Sequence, residues 1–247
     1  PDQVIKLAAE NTDKQVVFAA VGFETTAPVF AALIRQADTL RLRNLFFLTS
    51  LKRMEPIIHH MLGALKLRID GIICPGHVAV VTGTAPFLPI AEKYGVPAAI
   101  CGFDADGILT GIHTLLQQIS GERPVQLKNL YSKWVRDEGN TFARTLMDGV
   151  FICSDVSWRG IGVVPHSAYT INTRYERFDA EKHFGVVILD SGLQNDCACG
   201  EILLGQKAPP MCPAFKRRCV PEHPVGPCMV SSEGACAAYF KEAGGGL

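Results

Sequence analysis

The sequence predicts an α/β protein: Rossmann-like domain or domains, with a parallel sheet and helices on both faces, followed by a small loop-rich C-terminal domain. Three observations predict it. Short apolar runs alternate with amphipathic stretches through the first two-thirds of the chain, the rhythm of a parallel sheet covered by helices. Hydrophobic residues make up 48% of the 247 positions and charged residues 19%, enough for a sizeable core. Near Leu193 the composition changes, and Cys, Pro and Gly take over.

Taken in order, Asp2–Glu10 reads as a short amphipathic helix and Gln15–Val21 as a strand buried on both faces, because its apolar run is continuous. Thr25–Leu40 is expected as a helix, Asn44–Thr49 as a strand and Met54–Leu65 as a helix. Gly71–Cys74 reads as a strand ending at Pro75-Gly76. A helix near Leu88–Tyr94 leads to a strand at Ala98–Cys101 and a helix at Asp106–Ile119. Residues 125–150 read as mostly helical. Trp158-Arg159-Gly160-Ile161-Gly162 marks a turn into a strand near Val163, and Val186–Leu189 is the last expected strand. The boundaries that follow are 1–120 for an α/β domain with crevice loops, 121–192 for the remainder of a second α/β domain, and 193–247 for the Cys-rich domain.

The formal net charge is zero and no basic run is interleaved with aromatics, which gives no nucleic-acid signature. No apolar run is long enough for a membrane span. The chain opens on Pro1 and reads as a piece of a longer protein. No stretch reads as a signal peptide, and the cytoplasm is the expected compartment.

Three predicted strand ends carry candidate chemistry. Gly22-Phe23-Glu24-Thr25-Thr26-Ala27-Pro28 follows the first strand and opens a helix, where free N–H groups and a partial positive charge collect. Glu24 is a candidate acid, base or metal neighbour. Thr25 or Thr26 can cap the helix or present a hydroxyl. His77, in Cys74-Pro75-Gly76-His77-Val78, is a candidate proton carrier or ligand. Cys101 ends the next strand. In an open α/β sheet such ends share one crevice. His59 and His60 read as a solvated helix face, and Cys153 as a buried small residue.

The C-terminal stretch is the sharpest signal. Cys197, Cys199, Cys212, Cys219, Cys228 and Cys236 lie among prolines and glycines that make turns rather than long helices or strands. A loop-rich segment of this kind needs metal or disulfides to hold it. No Cys-x-x-Cys knuckle of a zinc ribbon occurs, and widely spaced thiolates suit an iron–sulfur cube. Two of the six would then be spare thiols, able to exchange electrons as a dithiol pair. Spacing does not choose the four ligands, and Cys199 can replace Cys197.

The chain resembles the HypD family of [NiFe]-hydrogenase maturation proteins. The resemblance rests on Gly22–Pro28, Pro75–Val78 with Gly83, and Trp158–Gly162. It rests most specifically on the Cys-x14-Cys-x6-Cys-x16-Cys pattern of Cys197, Cys212, Cys219 and Cys236, together with the run from Cys228 to Cys236. It implies α/β domains joined to a C-terminal [4Fe-4S] domain ligated by those four cysteines, with Cys199 and Cys228 as a disulfide-capable pair. It also implies a transient Fe(CN)2CO iron held with a HypC-type chaperone, cyanide from a HypE-type partner, and a crevice at the Gly22–Thr26 and Pro75–Val78 loops. The family's Cys-Gly-x-His-x-His and Gly-Pro-Gly-Cys-Pro-Val-Cys motifs are not in this sequence. The chain therefore reads as the C-terminal two-thirds of such a protein, expected alone to lack the iron-scaffold activity. Ala79 stands where the family has serine. Two competing functions are a cluster-dependent disulfide reductase and a zinc-stapled interaction module.

Overall fold

A computed structural model of the chain describes residues 3–65, 67, 69–186 and 196–244. The fold is mixed α/β, with parallel strands flanked by helices. The chain groups into two units: Pro1–Asp155 with Pro165–Val187, and Val156–Val164 with Ile188–Leu247.

The first unit begins with helix α1 (Gln3–Glu10), which buries Val4, Ile5 and Ala8 on one face. Strand β1 (Val16–Gly22) follows, and the turn between them is fixed by Asn44, whose amide donates to the carbonyls of Ala8, Asn11 and Lys14. Helix α2 (Ala27–Thr39) takes Pro28 in its first turn, where a missing N–H costs nothing. Strand β2 (Leu45–Lys52) lies parallel to β1, in register from Val16 opposite Leu45 to Gly22 opposite Leu51. Helix α3 (Met54–Gly63) leads to strand β3 (Ile72–Pro75) and helix α4 (Gly76–Thr82). Helix α5 (Leu88–Glu92), strand β4 (Ala98–Cys101) and helix α6 (Ala105–Ile119) continue the alternation. The Asp104 carboxylate caps α6 by accepting from the Gly107 N–H at 2.8 Å.

The expected helix over 125–150 resolves into strand β5 (Leu127–Asn129), turns, and helix α7 (Thr141–Asp148) capped by Asn140. Pro124 and the Gly139-Asn140 pair break helical continuity, so only Thr141–Asp148 keeps a helical amphipathic face. Strand β6 (Phe151–Trp158), absent from the sequence reading, and strand β7 (Gly162–Ile171) form a hairpin. Helix α8 (Ala180–Phe184) closes the unit. The strand expected at Val186–Leu189 lies, beyond Val186, outside the described residues.

The strands form two sheets, ordered β1-β2-β7-β6 and β3-β4-β5. This corrects the expectation of one sheet whose strand ends share a crevice. The second edge of β2 is taken by antiparallel β7, with Leu51 opposite Tyr169, so β3 starts a sheet with β4 instead. A second correction concerns β1, which is an edge strand with one face open. Ala20 is buried, but Val17 is 49% and Val21 64% exposed, because helices cover only the face that carries Val16, Phe18 and Ala20. The core of the first sheet centres on Ile34, Leu45, Phe47 and Phe178, and that of the second on Phe87, Ile90 and Ile100.

The second unit is built on helix α9 (Cys199–Leu203), short turns, helix α10 (Pro227–Val230) and helix α11 (Ala235–Gly244). Among the described residues no helix is long and apolar enough to cross a membrane.

Candidate functional site

The second unit has a core made largely of thiols. Cys199, Cys212, Cys219, Cys228 and Cys236 are buried with Ala198, Ile202, Ala214, Phe215, Met229 and Ala237, and Cys197 is half-buried against them. Short helices and turns place them. Cys199 opens α9, Cys228 sits in α10 just after Pro227, and Cys236 lies in the first turn of α11. Backbone N–H groups point at sulfur: Ala198 donates to Cys212 Sγ at 3.4 Å, and Val225 to Cys219 Sγ at 3.3 Å. Cys228 Sγ is 3.2 Å from Cys236 Sγ, and its thiol donates to that sulfur. Gly226 fills the space between Cys197, Cys199 and Cys228: a methyl group there would stand 2.6 Å from Cys197 Sγ and 3.7 Å from Cys228 Sγ.

The Trp158–Gly162 motif belongs to this unit. Gly160 and Gly200 lie backbone against backbone, so close that a side chain on either would meet the main chain of the other. Arg159 offers its carbonyl to the Cys199 thiol at 4.0 Å. A motif on the hairpin turn thus holds α9 in place.

Burial pushes the Cys197 thiol up to about 12, and the neighbouring Cys199 and Cys212 thiols add to the shift. Burial also raises Cys236, with further contributions from Cys228, Cys212 and Cys219. Thiols crowded in this way stay protonated until a cation replaces the protons. Among the described residues no three His, Cys, Asp or Glu side chains close round one point as a single ion requires.

The first unit holds a separate polar cavity of about 240 Å³. Glu24, at the carboxyl end of β1, is 1% exposed and lines it. Its Oε1 accepts the Met54 N–H at 2.7 Å, and its Oε2 has no partner. Leaving such a buried atom unpaired costs about 1–3 kcal/mol. Burial holds the Glu24 carboxyl above its ordinary value, against the pull of the Met54 N–H and the Arg53 charge. Arg53 reaches the His166 carbonyl at 2.8 Å, Cys153 Sγ at 3.2 Å and Glu55 at 2.9 Å, and lies over the Tyr169 ring. Its Nε is buried without a partner. Burial raises the Tyr169 hydroxyl to about 12.

Arg53, Tyr169 and Cys153 were not candidates on sequence grounds. Arg53 directly follows β2, a strand end like that of Glu24, and this is the signal that finds it. Cys153 corrects an expectation: it is exposed, because β6 turns it outward to the cavity beside Arg53 rather than into the core. His59 corrects another. It is partly buried, 3.0 Å from the Pro86 carbonyl and packed on Tyr94, because the 3-10 turn at Ala85–Phe87 closes over α3.

The remaining candidates disperse. Thr25 is exposed, and Thr26 leads into α2 but turns its hydroxyl back to the Phe23 carbonyl at 3.1 Å. His77 stands at the start of α4, on the other sheet, with its ring 4.9 Å from Phe103 and 6.2 Å from Tyr131. It does not line the cavity that holds Glu24. Cys101 is buried under Gly111 of α6 rather than facing a crevice.

Comparison with known proteins agrees with the motifs. The HypD family model, described as "Hydrogenase formation hypA family", matches residues 1–243. A hydrogenase expression/formation protein HupD of Azotobacter chroococcum is 40% identical over 97% of this chain and 65% of its own length. Hydrogenase maturation factor HypD1 of Bradyrhizobium diazoefficiens is 39% identical over 96% of this chain and 64% of its own. Hydrogenase maturation factor HypD of Escherichia coli is 37% identical over 98% and 65%. The chain thus spans just under two-thirds of the length of these relatives, and by family match and identity it belongs to the HypD family.

Proposed function

We propose that the chain contributes the cluster-bearing part of a hydrogenase maturation scaffold, with residues 196–244 holding one [4Fe-4S] cluster. The carrying observation is the gathering of six thiols in one small core, two of them already receiving backbone N–H groups. Cys197, Cys212, Cys219 and Cys236 are the ligands in this reading. The raised Cys197 and Cys236 thiols would release their protons on loading. N–H donors at Cys212 and Cys219 are the groups that tune such a site. When bound, the cluster supplies one-electron transfer. Cys199 and Cys228 flank Gly226 beside Cys197 and form a dithiol pair for exchange with it.

The iron that becomes the Fe(CN)2CO unit is cargo in this reading, handled with a HypC-type chaperone and a HypE-type cyanide donor. The test is anaerobic purification with iron and sulfide measured per chain, followed by partner capture. Four irons and four sulfides are expected, falling to background in Cys212→Ala. Full cluster content in that variant would overturn the ligand assignment. Failure of a HypC-type chaperone to associate with the cluster-loaded protein would overturn the scaffold reading alone.

A further inference from the structure

We infer that a cavity between the α2–β2 turn, the 3-10 helix Thr173–Phe178 and α8 binds a small phosphomonoester, its phosphate held by Arg43, Arg177 and His183 and its carbon body laid on Phe46 and Phe178. The inference goes beyond the maturation reading and does not rest on the thiol core of the second unit.

The polar side chains of this cavity are of one kind. It holds about 350 Å³, and among the described residues its polar lining is Arg43, Arg177 and His183, with no carboxylate. Leu45, Phe46 and Phe178 are buried and give it an apolar floor. Cations gathered over a low-dielectric floor focus the field and concentrate anions.

The fold holds each of the three groups in place. The Asn44 amide is bonded to the carbonyls of Ala8, Asn11 and Lys14, and the Leu42 N–H donates to the Ala37 carbonyl at 3.0 Å, so the turn is fixed on both sides of Arg43. The Arg43 side chain itself has no partner among the described residues. Arg177 donates from Nη2 to Asp38 Oδ1 at 2.6 Å and lies over the Phe178 ring at 4.4 Å, which leaves Nη1 and Nε to donate elsewhere. His183 stacks on Phe46 with centroids 4.0 Å apart and meets Phe184 edge to face at 4.7 Å. One carboxylate, Asp38, therefore answers two guanidinium groups, and it does not line the cavity. The missing negative charge is what a ligand supplies.

The donor set and the floor together choose the ligand. Guanidinium groups can only donate, and their planar forks match the oxygens of phosphate in paired hydrogen bonds. A phosphomonoester offers three terminal oxygens and nearly two negative charges at neutral pH, enough for two guanidinium groups and an imidazole N–H. A carboxylate offers two oxygens and one charge. Inorganic phosphate satisfies the donors but has nothing to lay on Phe46 and Phe178, whereas an ester with an apolar body uses both parts of the lining.

The test is calorimetric titration of the intact folded chain with phenyl phosphate, inorganic phosphate and benzoate at matched pH and ionic strength. Phenyl phosphate should bind about tenfold tighter than inorganic phosphate, because only the ester buries a ring. It should also bind about tenfold tighter than benzoate, which lacks the third oxygen and the second charge. The ring-proton NMR signal of His183, assigned by its loss in His183→Gln, should move along the same saturation curve. Arg43→Gln should weaken phenyl phosphate about tenfold, the scale of a lost charged hydrogen bond. Arg123→Gln removes the same charge from the exposed turn after α6 and should leave the affinity unchanged. Inorganic phosphate or benzoate binding as tightly as phenyl phosphate would overturn the proposal. So would a His183 signal that shows no saturable shift below about 10 mM phenyl phosphate, or equal losses in Arg43→Gln and Arg123→Gln.

Discussion

The Glu24 side chain accepts the backbone N–H of Met54 at 2.7 Å, tying the end of β1 to the start of α3. The bond joins two consecutive strand ends of the first sheet through a carboxyl group that burial holds above its ordinary value. The unfolded chain ionises this group near 4.5 and the folded chain at higher pH. Between the two values the folded state therefore binds more protons, and stability falls as pH rises. Glu24→Gln keeps an acceptor for Met54 and does not titrate. In urea unfolding across a pH series, the variant should gain stability relative to the parent as pH rises above 4.5. A constant difference between the two proteins would contradict this account.

Phe47 is fully buried and meets Phe18 and Phe178 edge to face, with centroids 5.9 and 6.5 Å apart. Phe47→Ala removes a ring from the middle of the first core. The expected cost is about 3–5 kcal/mol, read as a shift of the denaturation midpoint.

Asp38 and Arg177 make a 2.6 Å ion pair at the surface, with side chains 43% and 46% exposed. Solvent screening leaves little of that attraction. Asp38→Asn should change the stability by less than about 1 kcal/mol, and the small difference should shrink further in high salt.

Gly200 has no room for a side chain against the Gly160 backbone. Gly200→Ala should destabilise the second unit by about 1–3 kcal/mol. In the proposed cluster-bearing protein it should also lower iron content, measured per chain against the unsubstituted protein.

Cys228 and Cys236 lie with their sulfurs 3.2 Å apart. Mild oxidation of metal-free chain should therefore cross-link these two first. If Cys236 is a cluster ligand, loading withdraws it, and oxidation should then pair Cys228 with Cys199. Disulfide mapping by mass spectrometry, with and without loading, reads the switch. The same 228–236 link in both samples would rule the switch out.

The elements that were legible in the sequence are those whose local pattern agrees with their surroundings. Strand β4 is continuously apolar because it is central in its sheet and covered on both faces, and its bounds match the reading residue for residue. Helix α6 announces itself by a long apolar period, and its Asp104 cap starts it at Ala105, one residue before the reading. By contrast, β1 looks equally apolar and is half open, since its sequence does not record that it lies at an edge. Strand β6 alternates, but its burial follows from pairing with β7, a tertiary fact. The thiol core was visible because cysteine is rare and its spacing is specific. The cavity at Glu24 was half visible: the glutamate follows a strand directly, whereas Cys153 reaches Arg53, 100 positions before it, through the placing of β6 beside β7 and of β7 beside β2.

The hairpin of β6 and β7 has its stem in one unit and its turn in the other. The chain therefore passes between the units three times, after Asp155, Val164 and Val187. The Cys-rich unit is consequently not a contiguous cassette. A fragment cut to begin near residue 196 would carry all six thiols but lose Arg159 and Gly160, the residues that hold α9. Transplanting this unit onto another protein would require grafting the hairpin turn as a second, separate insert.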